Sequence, residues 1–241
     1  DGIPTCVKHM TDTYTSVING WVCLLLMPGI ALSELYNKLA VMKTGFSLLF
    51  VSQQRCEMEV KMRLEQKELE EIIREYGKEK IKDIYPTSPL QSGFIFHSIN
   101  NPESDEYFVQ ISFDLEGKLD IEAYKQAWQK TMDEHDILKT AFNWDKSEFA
   151  QIVMHKGELE IREYDISEKI NKEAQVEQIR ISNRREKFDL SKPGQTRLCI
   201  ITKGEEQTTI ILNQHHILLD GWSLPILFNE VEETYEHIMR S

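Results

Sequence analysis

The chain has 241 residues, of which 41% are hydrophobic and 28% charged, and it carries a net charge of −12 at pH 7. These values are typical of a folded globular protein and argue against disorder throughout. The acidic balance, with no long Lys/Arg run, disfavours nucleic acid and anionic membranes as partners.

The cysteines indicate neither a metal site nor a disulfide-stapled secreted domain. Cys6, Cys23, Cys56 and Cys199 lack the CxxC spacing of a zinc site and are too sparse for a disulfide framework. We therefore expect reduced thiols, a cytoplasmic protein and no bound metal. Asp1 in place of an initiator Met indicates a processed chain or a fragment.

Residues 1–54 form an unassigned apolar N-terminal segment. The stretch from Val17 to Leu32 is nearly all apolar, but Pro28 and Gly29 interrupt it. It is shorter than the roughly 20 residues that span a bilayer, and no basic region precedes it as in a signal peptide. Two interpretations remain: a buried or partner-facing helix, or a membrane-active or poorly folded remnant.

Residues 55–82 are predicted to form an amphipathic, charged linker helix. The composition changes at Arg55 from apolar to charged, and apolar residues recur at helical spacing along one side. We interpret the many charges as a solvated face. The apolar side comprises Met58, Met62, Leu69, Ile72, Ile73 and Tyr76.

From residue 83 the pattern alternates between strands and helices. Alternating apolar residues predict a half-buried strand from Tyr107 to Leu115. Asp120 is a predicted N-cap of a helix that buries one side, formed by Tyr124, Ala127, Trp128 and Thr131. The later predicted elements are a hairpin of 140–144 and 149–154, a helix over 167–187, strands over 196–202 and 208–213, and a helix over 223–239. The order indicates an α+β fold, a mixed sheet flanked by helices.

The most specific local signal follows the last predicted strand, where residues 215–221 have the sequence HHILLDG. Neighbouring residues of an extended segment point to opposite faces, so His215 and His216 are not expected to share a metal ion. We expect one imidazole to enter the interior and the other to face a cleft, where imidazole suits proton transfer. Asp220 would accept a hydrogen bond or pair with a base, and Gly221 would permit a backbone conformation that a side chain hinders. The other histidines, His9, His97, His135, His155 and His237, are expected to be ordinary core or surface residues.

This motif resembles HHxxxDG of the condensation domains of nonribosomal peptide synthetases. Three further stretches agree in the order of that family: YPTSPLQSGFIFHS from Tyr85, HDILKTAF from His135, and FDLS from Phe188 through Arg197. Four ordered matches are more specific than one. Residues 83–241 are thus identified as the N-terminal lobe of such a domain, and the opening stretch is closest to dual, epimerising or post-epimerisation members.

The resemblance implies a chloramphenicol-acetyltransferase-like fold with two lobes and a tunnel between them. It implies that His216 is the catalytic residue, which assists the acceptor amine as a base or by positioning it. His215, Asp220, Gly221, Arg197 and Lys139 would be structural, with Asp220 paired to a basic side chain. No cofactor would bind directly, because substrates arrive on the phosphopantetheine arms of carrier domains. The implied partners are those carriers, an adenylation domain and the C-terminal lobe.

The chain departs from the family pattern in three residues. Lys139 replaces the usual Arg, which precludes a bidentate pair with Asp220. Gly194 and Gln195 replace the usual Pro and Leu.

The second lobe does not follow Ser241, so we expect no condensation by this chain alone. Two alternatives stay open: a coenzyme A-dependent acyltransferase of the same superfamily, and a non-catalytic module that docks carriers.

Overall fold

The computed structural model describes residues 64–240. The apolar segment 1–54 and residues 55–63 of the predicted linker helix lie outside the described residues. The division of the chain at residues 54 and 82 therefore stays a prediction.

The described residues contain five α-helices and seven strands. The helices are α1 (Gln66–Tyr76), α2 (Pro89–Asn100), α3 (Ile121–Glu134), α4 (Lys172–Arg185) and α5 (Ser223–Arg240). The strands are β1 (Ile81–Pro86), β2 (Phe108–Glu116), β3 (Thr140–Asn143), β4 (Ala150–Met154), β5 (Glu160–Asp165), β6 (Thr196–Gly204) and β7 (Gln207–His215). A 3₁₀ turn, Asp136–Lys139, leads into β3.

Two sheets organise these strands. The larger has the order β2-β7-β6-β5 and the smaller the order β1-β4-β3. The larger sheet is mixed, because β5 runs parallel to β6 while the other neighbours are antiparallel. The expected mixed sheet with flanking helices is therefore present, and a second, antiparallel sheet accompanies it.

Helices cover both faces of the larger sheet, and its central strands β6 and β7 are therefore buried along nearly their whole length. On one face, α3 and α5 bury residues such as Trp128 and Leu227 against Leu198 and Ile210. On the other face, Ile179 of α4 and its neighbours pack on the sheet core formed by Ile166, Cys199, Ile201 and Ile211.

Local patterns predicted α3 and the hairpin correctly. The side chain of Asp120 accepts a hydrogen bond from the Ala123 amide at 2.9 Å and caps α3, as expected. The helix predicted from residue 167 begins later, at Lys172, because the Asn171 side chain accepts from the Ala174 amide and sets the start there.

The helix predicted to end at Lys82 instead ends at Tyr76. Gly77 follows with φ +85°, which breaks the helix, and Ile81 already pairs with Met154 in the smaller sheet. Ile72 of α1 is fully buried against this sheet, in a cluster with Ala141, Ala150, Ile152 and Met154. The last turns of the predicted linker are thus packed against the fold.

Candidate functional site

The end of β7 presents the histidine motif. Phe108 at the start of β2 is paired with His215, so the motif lies where the central strand leaves the sheet. The His216 amide donates to the Tyr107 carbonyl at 2.9 Å, which holds the following turn against β2. Sheet pairing therefore fixes the backbone on which both imidazoles stand.

His216 is half-buried, with its ring held on two sides. Its ring stacks on Phe94 of α2, with centroids 5.6 Å apart and planes 24° from parallel. Its Nδ1 lies 2.9 Å from the Leu219 carbonyl oxygen. A carbonyl oxygen only accepts, so Nδ1 carries the hydrogen and the neutral ring presents a lone pair at Nε2. That atom is suited to accept a proton.

His215 has the opposite arrangement. It is buried, and its Nδ1 accepts the Ile217 amide hydrogen at 3.1 Å. The hydrogen of the neutral ring therefore lies on Nε2. Burial, with a smaller contribution from the neighbouring His216, lowers the pKa of His215 to about 4. The ring is neutral at pH 7, and it enters the interior as predicted for one member of the pair.

Asp220 caps α5. Its Oδ1 accepts hydrogen bonds from the Trp222 amide at 3.1 Å, the Ser223 amide at 2.9 Å and the Ser223 hydroxyl at 2.8 Å. Within residues 64–240 it forms no ion pair, since Lys139 lies against Asp136 instead, and the pairing of Asp220 with a basic side chain stays a prediction. Three local donors satisfy the exposed carboxylate and fix the start of the helix.

Gly221 needs no special backbone conformation. The glycines with positive φ in residues 64–240 are Gly77, Gly117 and Gly194. A Cβ added at Gly221 would meet no atom within 4 Å. The expectation that a side chain would hinder the backbone there is therefore not met by the lobe itself.

Lys139 and Arg197 form their hydrogen bonds and ion pairs with residues outside the motif turn. The buried Lys139 ammonium donates to the Asp133 carbonyl and lies 3.4 Å from the Asp136 carboxylate. It therefore stabilises the 3₁₀ turn, and its positive charge is paired with the Asp136 carboxylate.

Arg197 is also buried, and its contacts favour the structural role that stays predicted for it. Its guanidinium donates to the Glu160 carboxylate at 2.9 Å and to the Asn183 carbonyl at 3.2 Å. It also lies over the Phe188 ring, 5.2 Å from the centroid.

Gly194 and Gln195, which depart from the family pattern, each have a specific local role in the structure. Gly194 has φ +80°, which proline cannot adopt, and a Cβ there would lie 3.0 Å from the Glu158 carbonyl oxygen. The buried Gln195 side chain donates to the Asp189 carbonyl at 2.8 Å and to the Lys192 carbonyl. The loop before β6 is thus tied by a polar side chain where the family usually has an apolar one.

The structure brings four predicted residues together in one turn, namely His215, His216, Asp220 and Gly221. Sequence reasoning missed Phe94 as the ring that packs on His216, although Phe94 belongs to the opening stretch. It also missed the two backbone groups, of Ile217 and Leu219, that select the tautomers. No pattern in one sequence reveals such a contact between distant segments.

Residues 64–240 offer neither a metal cluster nor a membrane span. They contain no group of three or more His, Cys, Asp or Glu side chains arranged to hold a metal ion. In the same residues no helix has the length and apolar character needed to cross a membrane.

Comparison with known proteins adds the family. Residues 81–241 match the family model described as "Condensation domain". The chain is 35% identical over 163 residues to a linear gramicidin synthase protein of Brevibacillus parabrevis, a match that covers 66% of this chain and 3% of that protein. It is 38% identical over 165 residues to a mycosubtilin synthase protein of Bacillus subtilis, covering 66% of this chain and 6% of that protein. The chain thus spans a small part of these relatives.

Solved structures agree in fold. The starter condensation domain of rhizomide synthetase has a TM-score of 0.62 at 16% identity, covering 66% of this chain and 40% of that chain. The first condensation domain of the calcium-dependent antibiotic synthetase, solved with a substrate analogue, has a TM-score of 0.59 at 18% identity, covering 64% and 39%. At these identities the likeness shows the fold alone, and it confirms the predicted α+β, chloramphenicol-acetyltransferase-like lobe.

Proposed function

Because the chain belongs to the condensation-domain family, we propose that it forms part of a domain that makes amide bonds between carrier-bound thioesters. In this proposal His216 is the catalytic residue. The observation that supports it is the half-buried imidazole whose Nδ1 donates to Leu219, which leaves the Nε2 lone pair available.

The chemistry requires such a lone pair. An amine that is protonated at neutral pH is not a nucleophile, so attack on a thioester carbonyl requires a proton to leave nitrogen. The new C–N bond forms as the C–S bond breaks, and the departing sulfur takes up a proton. Nε2 of His216 serves as the base, or accepts an N–H hydrogen bond that orients the amine.

The substrates in this proposal are aminoacyl or peptidyl groups on the phosphopantetheine arms of carrier domains. Its partners are those carriers, an adenylation domain that supplies the activated residue, and a second lobe that closes the tunnel over His216. We assign the activity to the cytoplasm, which agrees with Cys199 being a free, buried thiol.

A reconstituted assay tests the assignment. The chain is joined to a condensation-domain C-terminal lobe, supplied with loaded donor and acceptor carriers, and compared with His216→Ala. Loss of a general base costs about 10²- to 10⁴-fold in rate, so product formation should fall by that factor. His155→Ala, which removes an exposed histidine just after β4, is the matched control and should keep the parent rate.

Equal rates for the parent and His216→Ala would remove the catalytic role. We expect the chain without a second lobe to bind carriers but form no product, because an open surface neither aligns nor desolvates the substrates. Turnover of a free acyl-coenzyme A without carriers would assign the coenzyme A-dependent reaction instead.

A further inference from the structure

A cleft of about 310 Å³ lies beside the motif, and His215 forms part of its wall. It is an open cleft lined mainly by the second half of α2, the segment 101–107 and the segment 187–190. Its volume is at the lower end of the range for small-molecule sites. His216 is not among its lining residues, so the cleft is distinct from the proposed catalytic position.

His215 offers this cleft a hydrogen-bond donor. The Ile217 amide occupies Nδ1, which puts the hydrogen on Nε2. Only 8% of the residue's surface is exposed, and within residues 64–240 Nε2 forms no hydrogen bond. Nε2 is not fully buried, so it can donate to an acceptor atom of a ligand in the cleft.

The walls of the cleft are largely apolar and aromatic. Phe108 of β2 stacks on Phe188 with ring centroids 5.3 Å apart. The lining also includes Ile95, Trp144 and Leu190, of which Ile95 and Leu190 are buried. Such a lining favours a flat or branched apolar group over a polar one.

The charged groups at the cleft are already engaged. Asp105 pairs with Arg184 at 2.7 Å, and Glu106 pairs with His97 at 2.7 Å. Asp189 pairs with Lys192 at 3.1 Å. The Lys187 ammonium donates to the carbonyl oxygens of Glu103 and Ser104, at 3.1 and 3.0 Å. Each carboxylate of the lining is paired, and the ammonium is bound to backbone oxygens. The lining residues therefore offer no unpaired charge that would favour an ionic ligand.

From this arrangement we infer that the cleft binds a small, uncharged compound that joins an apolar group to a carbonyl oxygen, of the class of N-acyl amino-acid amides. The carbonyl oxygen accepts the Nε2 hydrogen of His215, and the apolar group lies against the apolar lining. The inference does not depend on the catalytic assignment of His216.

Direct binding to the full chain tests the inference, with N-acetyl-phenylalaninamide as the probe. Titration should shift the ring resonances of His215 in a proton–nitrogen NMR spectrum, and a crystal soak should place the probe in the cleft. N-acetyl-glycinamide, which lacks the apolar group, should bind more weakly. His215→Phe should weaken binding of the first probe about tenfold, the factor for one lost hydrogen bond.

A matched pair on α2 keeps the test decisive if His215→Phe fails to fold. Ile99 and Leu90 are both exposed apolar residues of this helix, but only Ile99 lines the cleft. Ile99→Trp should fill the cleft and abolish probe binding, whereas Leu90→Trp should leave it unchanged.

Three results would overturn the inference. The first is no probe binding at millimolar concentration. The second is binding that survives Ile99→Trp. The third is binding lost in His216→Ala, which would move the probe to the motif turn.

Discussion

His215 and His216 are neighbours in the chain but differ in chemistry. His215 is buried at the end of β7 and accepts an amide hydrogen at Nδ1, whereas His216 is half-buried and donates from Nδ1 to a carbonyl oxygen. The first ring therefore exposes an N–H at Nε2, and the second exposes a lone pair there. The backbone on either side of the turn, rather than the residue type, decides which imidazole donates and which accepts.

The largest expected effect is a loss of activity, which would distinguish His216 from His215. His216→Asn keeps an amide that can donate to the Leu219 carbonyl but removes Nε2. In the assembled domain we expect product formation to fall about 10²- to 10⁴-fold, while the free energy of unfolding changes by less than about 0.5 kcal/mol. A loss of several kcal/mol in urea unfolding would instead make His216 a structural residue.

The next largest effect is a pH dependence of the unfolding free energy that comes from His215. Between pH 6.5 and about 4 the unfolded chain binds a proton at residue 215, and the folded chain, with its lowered pKa, does not. Stability from this group is therefore complete above pH 6.5 and is lost as the pH falls, by about 3 kcal/mol in all. The measurement is urea unfolding of the parent and His215→Phe across this range.

The difference between the two curves isolates His215, since other groups titrate in both proteins. Those that line the same cleft are His97, Asp105, Glu106, Lys187 and Asp189. Parallel curves would mean that the folded state binds the proton at residue 215 as readily as the unfolded state does.

A smaller effect concerns the end of the motif turn. Asp220→Ala removes the hydrogen bonds that hold the turn before α5 and should cost about 1 kcal/mol in unfolding free energy, while Asp220→Asn should cost only a few tenths of a kcal/mol, because the asparagine side-chain oxygen accepts the same bonds. An equal cost for both variants would show that the negative charge matters, as it would in an ion pair.

The smallest effect is expected at Gly221. Because its φ is not positive and a Cβ meets nothing within 4 Å, Gly221→Ala should change the free energy of unfolding by no more than about 0.5 kcal/mol. Thermal and urea unfolding check this. A larger loss would show that the turn is more crowded than its contacts indicate.

Local signals predicted much of this fold, and nonlocal contacts explain where they failed. The alternation in β2 and the cap at Asp120 are encoded within a few residues, so both were predictable. The end of α1 is also marked locally, by Gly77, but the strand that begins at Ile81 was not predictable, because it depends on pairing with Met154 of β4. The apolar spacing up to Tyr76 contains no information about that partner.

The candidate site was likewise predictable from the sequence only in part. The motif identified the residues of the turn, and strand alternation separated the two imidazoles. The tautomers depend on the amide of Ile217 and the carbonyl of Leu219, whose directions follow from the turn geometry. The cleft depends on segments 101–107 and 187–190 meeting across the sheet, which neither segment's sequence specifies.

The pairing of β2 with β7 also has a consequence for synthesis. Residues 108–116 are joined to residues 207–215 in one continuous ladder, so β2 leaves the ribosome about 100 residues before its partner. At about 5–20 residues per second this interval lasts about 5–20 s. Until Gln207 has been translated, Phe113 and Trp128 have no completed sheet to cover them, and we expect nascent chains of that length to recruit chaperones.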